Sequence, residues 1–182
     1  MVHTISHPQF PNLIIHNELS ANIIHQLFEY TLSDSEVLNN THDIERFSNQ
    51  DTLDKWLKKG RDVYILTNNT EELLGIIWFG KKAFPDYILE TKFDPTTYRG
   101  MFSIRLYGKA RGVGLGHPFA SAVITDYIQS SNYQNLNSKG IWLCTNSDNI
   151  SAIKLYNKLG FQRVAHARDE KEIGMLMEKP NF

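Results

Sequence analysis

The chain has almost no cysteine, no excess of charge of either sign and no long apolar run. Cys144 stands alone, which excludes an internal disulfide framework and any cysteine-cluster metal site, and fits a reducing compartment. Lysines and arginines never run more than two deep and the formal net charge is -1, so the electrostatic footprint of a nucleic-acid binder is missing and no nucleic-acid partner is expected. The longest apolar stretch, Leu73 to Phe79, falls far short of the roughly 20 residues that span a bilayer. Met1 to Asn12 carries no basic-then-apolar signal pattern. A cytoplasmic protein without membrane association is the expectation. The seven histidines show no metal spacing such as His-x-x-x-His on one helix and read as surface or core residues, so no metal is expected. What is present is 41% hydrophobic residues over 182 positions, enough for one substantial core and one domain, 1–182.

Periodicity supplies the elements. Leu13-Ile14-Ile15 reads as a short strand, and Ser20 as the cap of a helix over Ala21 to Leu32, with Ile23, Ile24, Leu27 and Phe28 on its apolar stripe. A polar, Asn-rich connection leads to a second short helix with Asp51 as cap and Gly60 as terminator. Val63 to Leu66 and Leu73 to Phe79 read as an antiparallel hairpin. Lys81 to Gly100 has weak periodicity and two prolines, so it reads as a long connection that partly orders and offers substrate contacts. Phe102 to Tyr107 alternates as a half-buried strand, His117 to Ser131 is helical, and Ile141 to Cys144 is a strand. A helix over Ile150 to Leu159 ends at Gly160, and Phe161 to Ala167 with Ile173 to Met177 closes the chain as a hairpin. Were Ile173 to Met177 an exposed edge, it would support a homodimer.

The strongest local signal is Arg111-Gly112-Val113-Gly114-Leu115-Gly116, which joins the end of a strand to the start of a helix. Glycines there let the backbone approach a ligand, while amide hydrogens and the positive end of the helix dipole point the same way, as a pyrophosphate requires. Lys109 and Arg111 add cationic charge beside it. The same glycines would also serve a tight strand-to-helix turn with no ligand. A P-loop would need Gly-Lys-Ser or Gly-Lys-Thr where Gly116-His117-Pro118 stands, and a dinucleotide fingerprint would need its third glycine three residues after the second. Pro118 is at home in a first helical turn, where amide hydrogens lack partners anyway.

The second constellation runs from Asn149 to Phe161. Asn149 and Tyr156 lie two helical turns apart, on roughly one side of the helix. Taken alone, Asn149 reads as an ordinary N-cap and Tyr156 as a half-buried core aromatic.

Taken together, Arg111 to Gly116 and the blocks Asn149 to Ala152 and Leu155-Tyr156 to Leu159-Gly160-Phe161 resemble the two signature regions of the GNAT superfamily of N-acetyltransferases. The residue-level match spans about Leu106 to Phe161, and the element order fits nearly the whole chain. The resemblance implies an α/β (α+β) domain with a mixed, mostly antiparallel sheet of six to seven strands flanked by about four helices. It implies acetyl-CoA as co-substrate, its pyrophosphate on the backbone amides of Arg111, Gly112, Val113, Gly114, Leu115 and Gly116. Leu106 would pair its backbone with the pantetheine arm, Asn149 would contact that arm, and Tyr156 would be the general acid. The activity implied is acetyl transfer to a primary amine, on a small molecule or a peptide, by direct attack in a ternary complex. No covalent enzyme intermediate is needed, so Cys144 reads as a strand residue.

The departure from the family concerns the base. Many members carry a glutamate on the strand before the glycine turn, where this chain has Met101, Phe102 and Ser103. Glu90, Asp86, Asp94 and Tyr64 are candidates by location, and a solvated loop charge is the plain alternative for the acids. A non-catalytic acyl-CoA binding or sensing domain of the same fold is the rival reading, and a site for another phosphate ligand is a third.

Overall fold

The computed structural model describes residues 3–41 and 44–179. The strands are β1 (His3–His7), β2 (Phe10–His16), β3 (Arg61–Thr67), β4 (Leu73–Lys81), β5 (Ile88–Leu89), β6 (Gly100–Leu106), β7 (Gly140–Asn146), β8 (Gln162–His166) and β9 (Glu172–Glu178). The helices are α1 (Ala21–Ser33), α2 (Ser35–Asn40), α3 (Gln50–Leu57), α4 (Gly116–Gln129), α5 (Ser131–Gln134) and α6 (Ile150–Lys158). All the strands join one sheet in the order β1-β2-β3-β4-β6-β7-β9-β8-β5.

Among the described residues there are thus nine strands and six helices, where the sequence suggested six to seven and about four. The extra elements have weak local signals. β1 is a polar segment that becomes a strand by pairing antiparallel with β2, Ile5 opposite Leu13. β5 is two residues long and exists through its pairing with β8. α2 follows from Asp34, whose carboxylate accepts the amides of Glu36 and Val37.

Caps set the other helix starts. Ser20 Oγ accepts from the Ile23 amide at 3.3 Å, as the sequence suggested. The cap of α3 is Asn49 rather than Asp51: Asn49 and Thr52 exchange side-chain and backbone bonds as a capping box. Asp51 instead pairs with Lys55 at 2.6 Å on the exposed face. A further correction concerns Ile173 to Met177. It lies in β9, hydrogen-bonded to β7 on one side and β8 on the other, so it is an interior strand and offers no edge for a dimer. β7, β9 and β8 are joined antiparallel, whereas β6 meets β7 in parallel only through Gly100 with Ile141 and Met101 with Trp142.

Backbone contacts divide the chain into two compact units, 1–78 with 104–120 and 79–103 with 121–182. The first buries Leu13, Ile15, Leu27, Ile65, Ile76, Leu115 and Phe119 completely or nearly so. The second is built around aromatic rings: Phe79 stacks on Tyr127 with centroids 3.6 Å apart, and Phe102 lies 5.6 Å from Phe161. The connection 81–99 belongs to this unit, where Phe84 and Tyr98 join Trp142, Ala165 and Leu176 in a buried cluster.

Candidate active site

The glycine turn is built within the first unit. A 3-10 turn over Gly108–Ala110 leads from β6 into it, and α4 begins at Gly116. Gly112 and Gly114 take φ of 72° and 88°, a backbone that side-chain-bearing residues rarely adopt. A Cβ placed on either would meet nothing within 4 Å, so the space over the turn is open. Leu115 and Ala110 are fully buried and anchor both ends. The Phe119 amide bonds back to the Leu115 carbonyl at 3.2 Å, which leaves the amides of Gly116 and His117 at the helix start without intrahelical acceptors, and Pro118 has no amide hydrogen to satisfy.

Side chains distant in sequence brace this turn. Arg111 donates from Nη2 to Asp34 Oδ2 at 2.6 Å and from Nε to the Leu106 carbonyl at 2.8 Å. His7 Nε2 lies 2.9 Å from the Val113 carbonyl. Lys109 pairs with Glu72 at 2.9 Å. Two cations read from the sequence as phosphate partners are therefore engaged with protein carboxylates, and the open face of the turn presents backbone. Burial alone would raise the Asp34 carboxyl. The hydrogen bond from Arg111, the Val37 amide, the Arg111 charge and the Gly108 amide outweigh that and hold it below the usual range.

Leu106 therefore already gives its carbonyl to Arg111, and the next amide, Tyr107, donates to the Leu74 carbonyl at 2.9 Å. In the second unit, Asn149 caps α6, its side chain accepting from the Ala152 amide at 3.1 Å. Tyr156 is buried, its ring edge-on to Phe102 at 6.3 Å and to Phe161 at 6.0 Å. Burial pushes its phenol up from the ordinary value. The phenol therefore keeps its proton, as a general acid must, while being a weaker acid than a free tyrosine.

The acids named as base candidates have structural work. Glu90 receives Arg163 in a bidentate pair, with Nη2 at 2.6 Å from Oε1 and Nε at 3.0 Å from Oε2. Asp94 caps the 3-10 turn Pro95–Thr97, and bonds from the Thr96 hydroxyl and amide hold its carboxyl down. Asp86 meets Arg168 at 3.5 Å on an exposed surface, and Tyr64 is half-buried in β3. A group the sequence did not single out lies on β7, β9 and the 81–99 connection: Tyr87 donates a short hydrogen bond to Glu172 close to Cys144. Burial, partly countered by the Tyr87 hydroxyl, lifts the Cys144 thiol to about 11. Among the described residues no group of three or more His, Cys, Asp or Glu is placed to hold a metal ion, and no helix is long and apolar enough to cross a membrane.

No family model matches the chain. No curated protein matches it either. Solved structures do. An aminoglycoside acetyltransferase in complex with coenzyme A and kanamycin is 18% identical, with 92% of this chain and 95% of that one covered and a TM-score of 0.65. Spermidine N-acetyltransferase from Vibrio cholerae in complex with coenzyme A and spermine is 14% identical, with 91% and 95% covered and a TM-score of 0.63. An uncharacterized protein from Bacillus halodurans is 13% identical, with 97% and 90% covered and a TM-score of 0.68. These likenesses establish the fold, a mixed α/β fold with a mostly antiparallel sheet shared with GNAT acetyltransferases.

Proposed function

We propose that the protein is an N-acetyltransferase that moves the acetyl group of acetyl-CoA to a primary amine by direct attack in a ternary complex. The observation that carries this reading is the turn 111–116: two left-handed glycines with open space above them, braced from Asp34 and His7, at the start of a helix in this fold. Of the amides of Arg111 to Gly116, that of Arg111 already donates to the Gly108 carbonyl at 3.2 Å, so those from Gly112 to Gly116 are the ones proposed to hold the pyrophosphate, with the helix dipole adding to them. The guanidinium of Arg111 contributes by holding the loop rather than by touching phosphate. Leu106 lies along the pantetheine arm and Asn149 contacts it.

The acceptor nitrogen attacks the thioester carbonyl, a tetrahedral oxyanion forms, and the C–S bond breaks as Tyr156 gives its proton to the departing sulfur. The amine proton leaves through a base that none of the named acids supplies without giving up an existing partner. Two structural neighbours were solved with kanamycin and with spermine, both amines, which supports an amine acceptor here. We place the activity in the cytoplasm, with 1–182 acting as one acyltransferase domain.

One observation favours a second reading, a non-catalytic acyl-CoA binding domain: β6 carries no acid at Met101 to Ser103, and Glu90, Asp86 and Asp94 are engaged elsewhere. A thermal-shift titration with acetyl-CoA followed by an assay of free thiol release over a panel of amines separates the cases. Ligand at about 100 times its dissociation constant adds on the order of 2.7 kcal/mol to stability. A shift with thiol release supports the enzyme. A shift with no release over the whole panel supports the binding domain, and no shift at millimolar ligand removes both.

A further inference from the structure

Tyr87 Oη donates to Glu172 Oε2, a contact that joins the 81–99 connection to β9 within the second unit. In the ladder between β7 and β9, Glu172 stands opposite Asn146 and Gly174 opposite Cys144. Gly174 lets the rings come down onto the strands: a Cβ there would lie 2.7 Å from Phe84 Cζ and 3.4 Å from Tyr87 Cδ2. Tyr87, Cys144 and Met101 all pack against the cluster that holds Phe84 and Trp142, so they share one face of the sheet. Tyr87, Cys144 and Glu172 are each half-buried, within reach of a molecule lying on that face.

The phenol of Tyr156 belongs to the other face. Successive side chains on a strand point to opposite sides, and Phe102, next to Met101, is the β6 residue whose ring meets Tyr156. Pairing of β6 with β7 ends at Met101 and Trp142. β7 nevertheless runs on to Asn146, held by β9 all the way. The Asn149 amide, at the cap of α6, donates to the Asn146 carbonyl at 3.1 Å. The Glu172 end of the ladder is therefore also the end from which the Tyr156 helix starts, with Tyr87 on one face of the strands and Tyr156 on the other.

A phenol that donates to a carboxylate still has lone pairs with which to accept. Burial first, and then the bond to Glu172, raises the Tyr87 phenol above its ordinary value. It keeps its proton at neutral pH and is no base by itself. It takes a proton only by passing its own to Glu172 in the same step. The acids considered above lack this arrangement, since each is tied to an arginine or to a turn.

We propose that Tyr87 takes the proton from the acceptor nitrogen and that Glu172, acting through Tyr87, is the final base. On attack the nitrogen becomes cationic. Its N–H bond breaks, the bonding pair stays on nitrogen, and the proton reaches Tyr87 Oη as the Tyr87 O–H bond breaks toward Glu172. The Glu172 carboxyl then releases its proton to solvent. Cys144 takes no part in this path. The inference rests on the acetyltransferase reading and supplies the base that β6 lacks.

The other titratable groups around the pair are Lys82, whose ammonium lies 5.9 Å from the Trp142 ring, the Cys144 thiol, and Asp86 with Arg168 at the exposed rim. On β8, His166 stands opposite Ile173 and so on the far face. Glu172→Gln tests the pair with little disturbance, because its amide oxygen still accepts from Tyr87 and only the basicity is lost. Tyr87→Phe keeps the ring and removes the hydroxyl. Thiol release is followed over a panel of amines that includes ethanolamine, putrescine and a glycyl peptide. With an amine that the parent acetylates, kcat should fall by about 10²-fold in each variant, while the thermal shift with acetyl-CoA stays that of the parent. The deficit should narrow as pH is raised from 7 to 10, because hydroxide replaces the missing base, and Glu172→Asp should recover part of the rate. Parent-like kcat in Glu172→Gln overturns the inference alone, as does a loss that is the same at every pH. No release by the parent over the whole panel removes the acetyltransferase reading, and this inference with it.

Discussion

Arg111 and Asp34 meet at 2.6 Å across 77 positions of sequence, and through that contact the end of α1 and the start of α2 hold the glycine turn. The same guanidinium ties the turn to the Leu106 carbonyl. Asp34→Ala should cost about 1 to 3 kcal/mol, because it strands a charged donor and removes the α2 cap. It should also weaken acetyl-CoA binding, and paired melting and binding measurements check both.

The Asp34 carboxyl is held below its unfolded value, largely through Arg111 and despite its burial. A depressed carboxyl contributes stability that is present above the unfolded value of about 3.9 and is lost as pH falls through the folded one. The parent should therefore lose stability on acidification below about pH 4 more steeply than Asp34→Asn. Denaturant midpoints from pH 6 to pH 2 give the comparison.

Gly114→Ala separates backbone strain from cofactor clash. At φ of 88° the methyl group costs about 1 to 2 kcal/mol in the free protein, since it meets no neighbour there. With acetyl-CoA over the turn the methyl would stand in the cofactor's place. The loss of binding free energy should therefore exceed strain alone, and equal binding by parent and variant would contradict a pyrophosphate at this turn.

Tyr156→Phe should lower turnover by about 10² or more if the phenol protonates the leaving thiolate. The ring contacts with Phe102 and Phe161 survive, so stability and acetyl-CoA binding should change little. An unchanged rate would remove Tyr156 from the chemistry.

Cys144 should alkylate slowly at pH 7.5 and faster toward pH 11, because burial holds the thiol in its protonated form. Cys144→Ala should retain acetyl transfer. Mass spectrometry after timed iodoacetamide treatment reads the first, and the thiol-release assay the second.

The glycine turn, the Ser20 cap and the Asn149 helix were legible because each depends on neighbours within a few positions. β1 and β5 were not, since His3–His7 and Ile88–Leu89 become strands only by pairing with partners elsewhere. The sequence showed cations at Lys109 and Arg111 but not that Glu72 and Asp34 would engage them. Nor could spacing bring Arg46, Arg61 and Arg105 onto one pair of tryptophans, because that proximity comes from the sheet order and the helix above it.

The connection 81–99 opens and closes at one point, the Lys82 amide donating to the Arg99 carbonyl at 3.0 Å. Between those ends it is fastened by the Glu90 pair with Arg163 and by Tyr87 on Glu172, and at its start the Trp142 indole donates to the Lys82 carbonyl at 3.0 Å. To a protein engineer this is a cassette rather than a tether. Its two ends already sit within bonding distance, so it can be exchanged as a block without respacing the strands that flank it. A replacement must bring its own ring to shield Trp142, where Phe84 now lies 5.4 Å away.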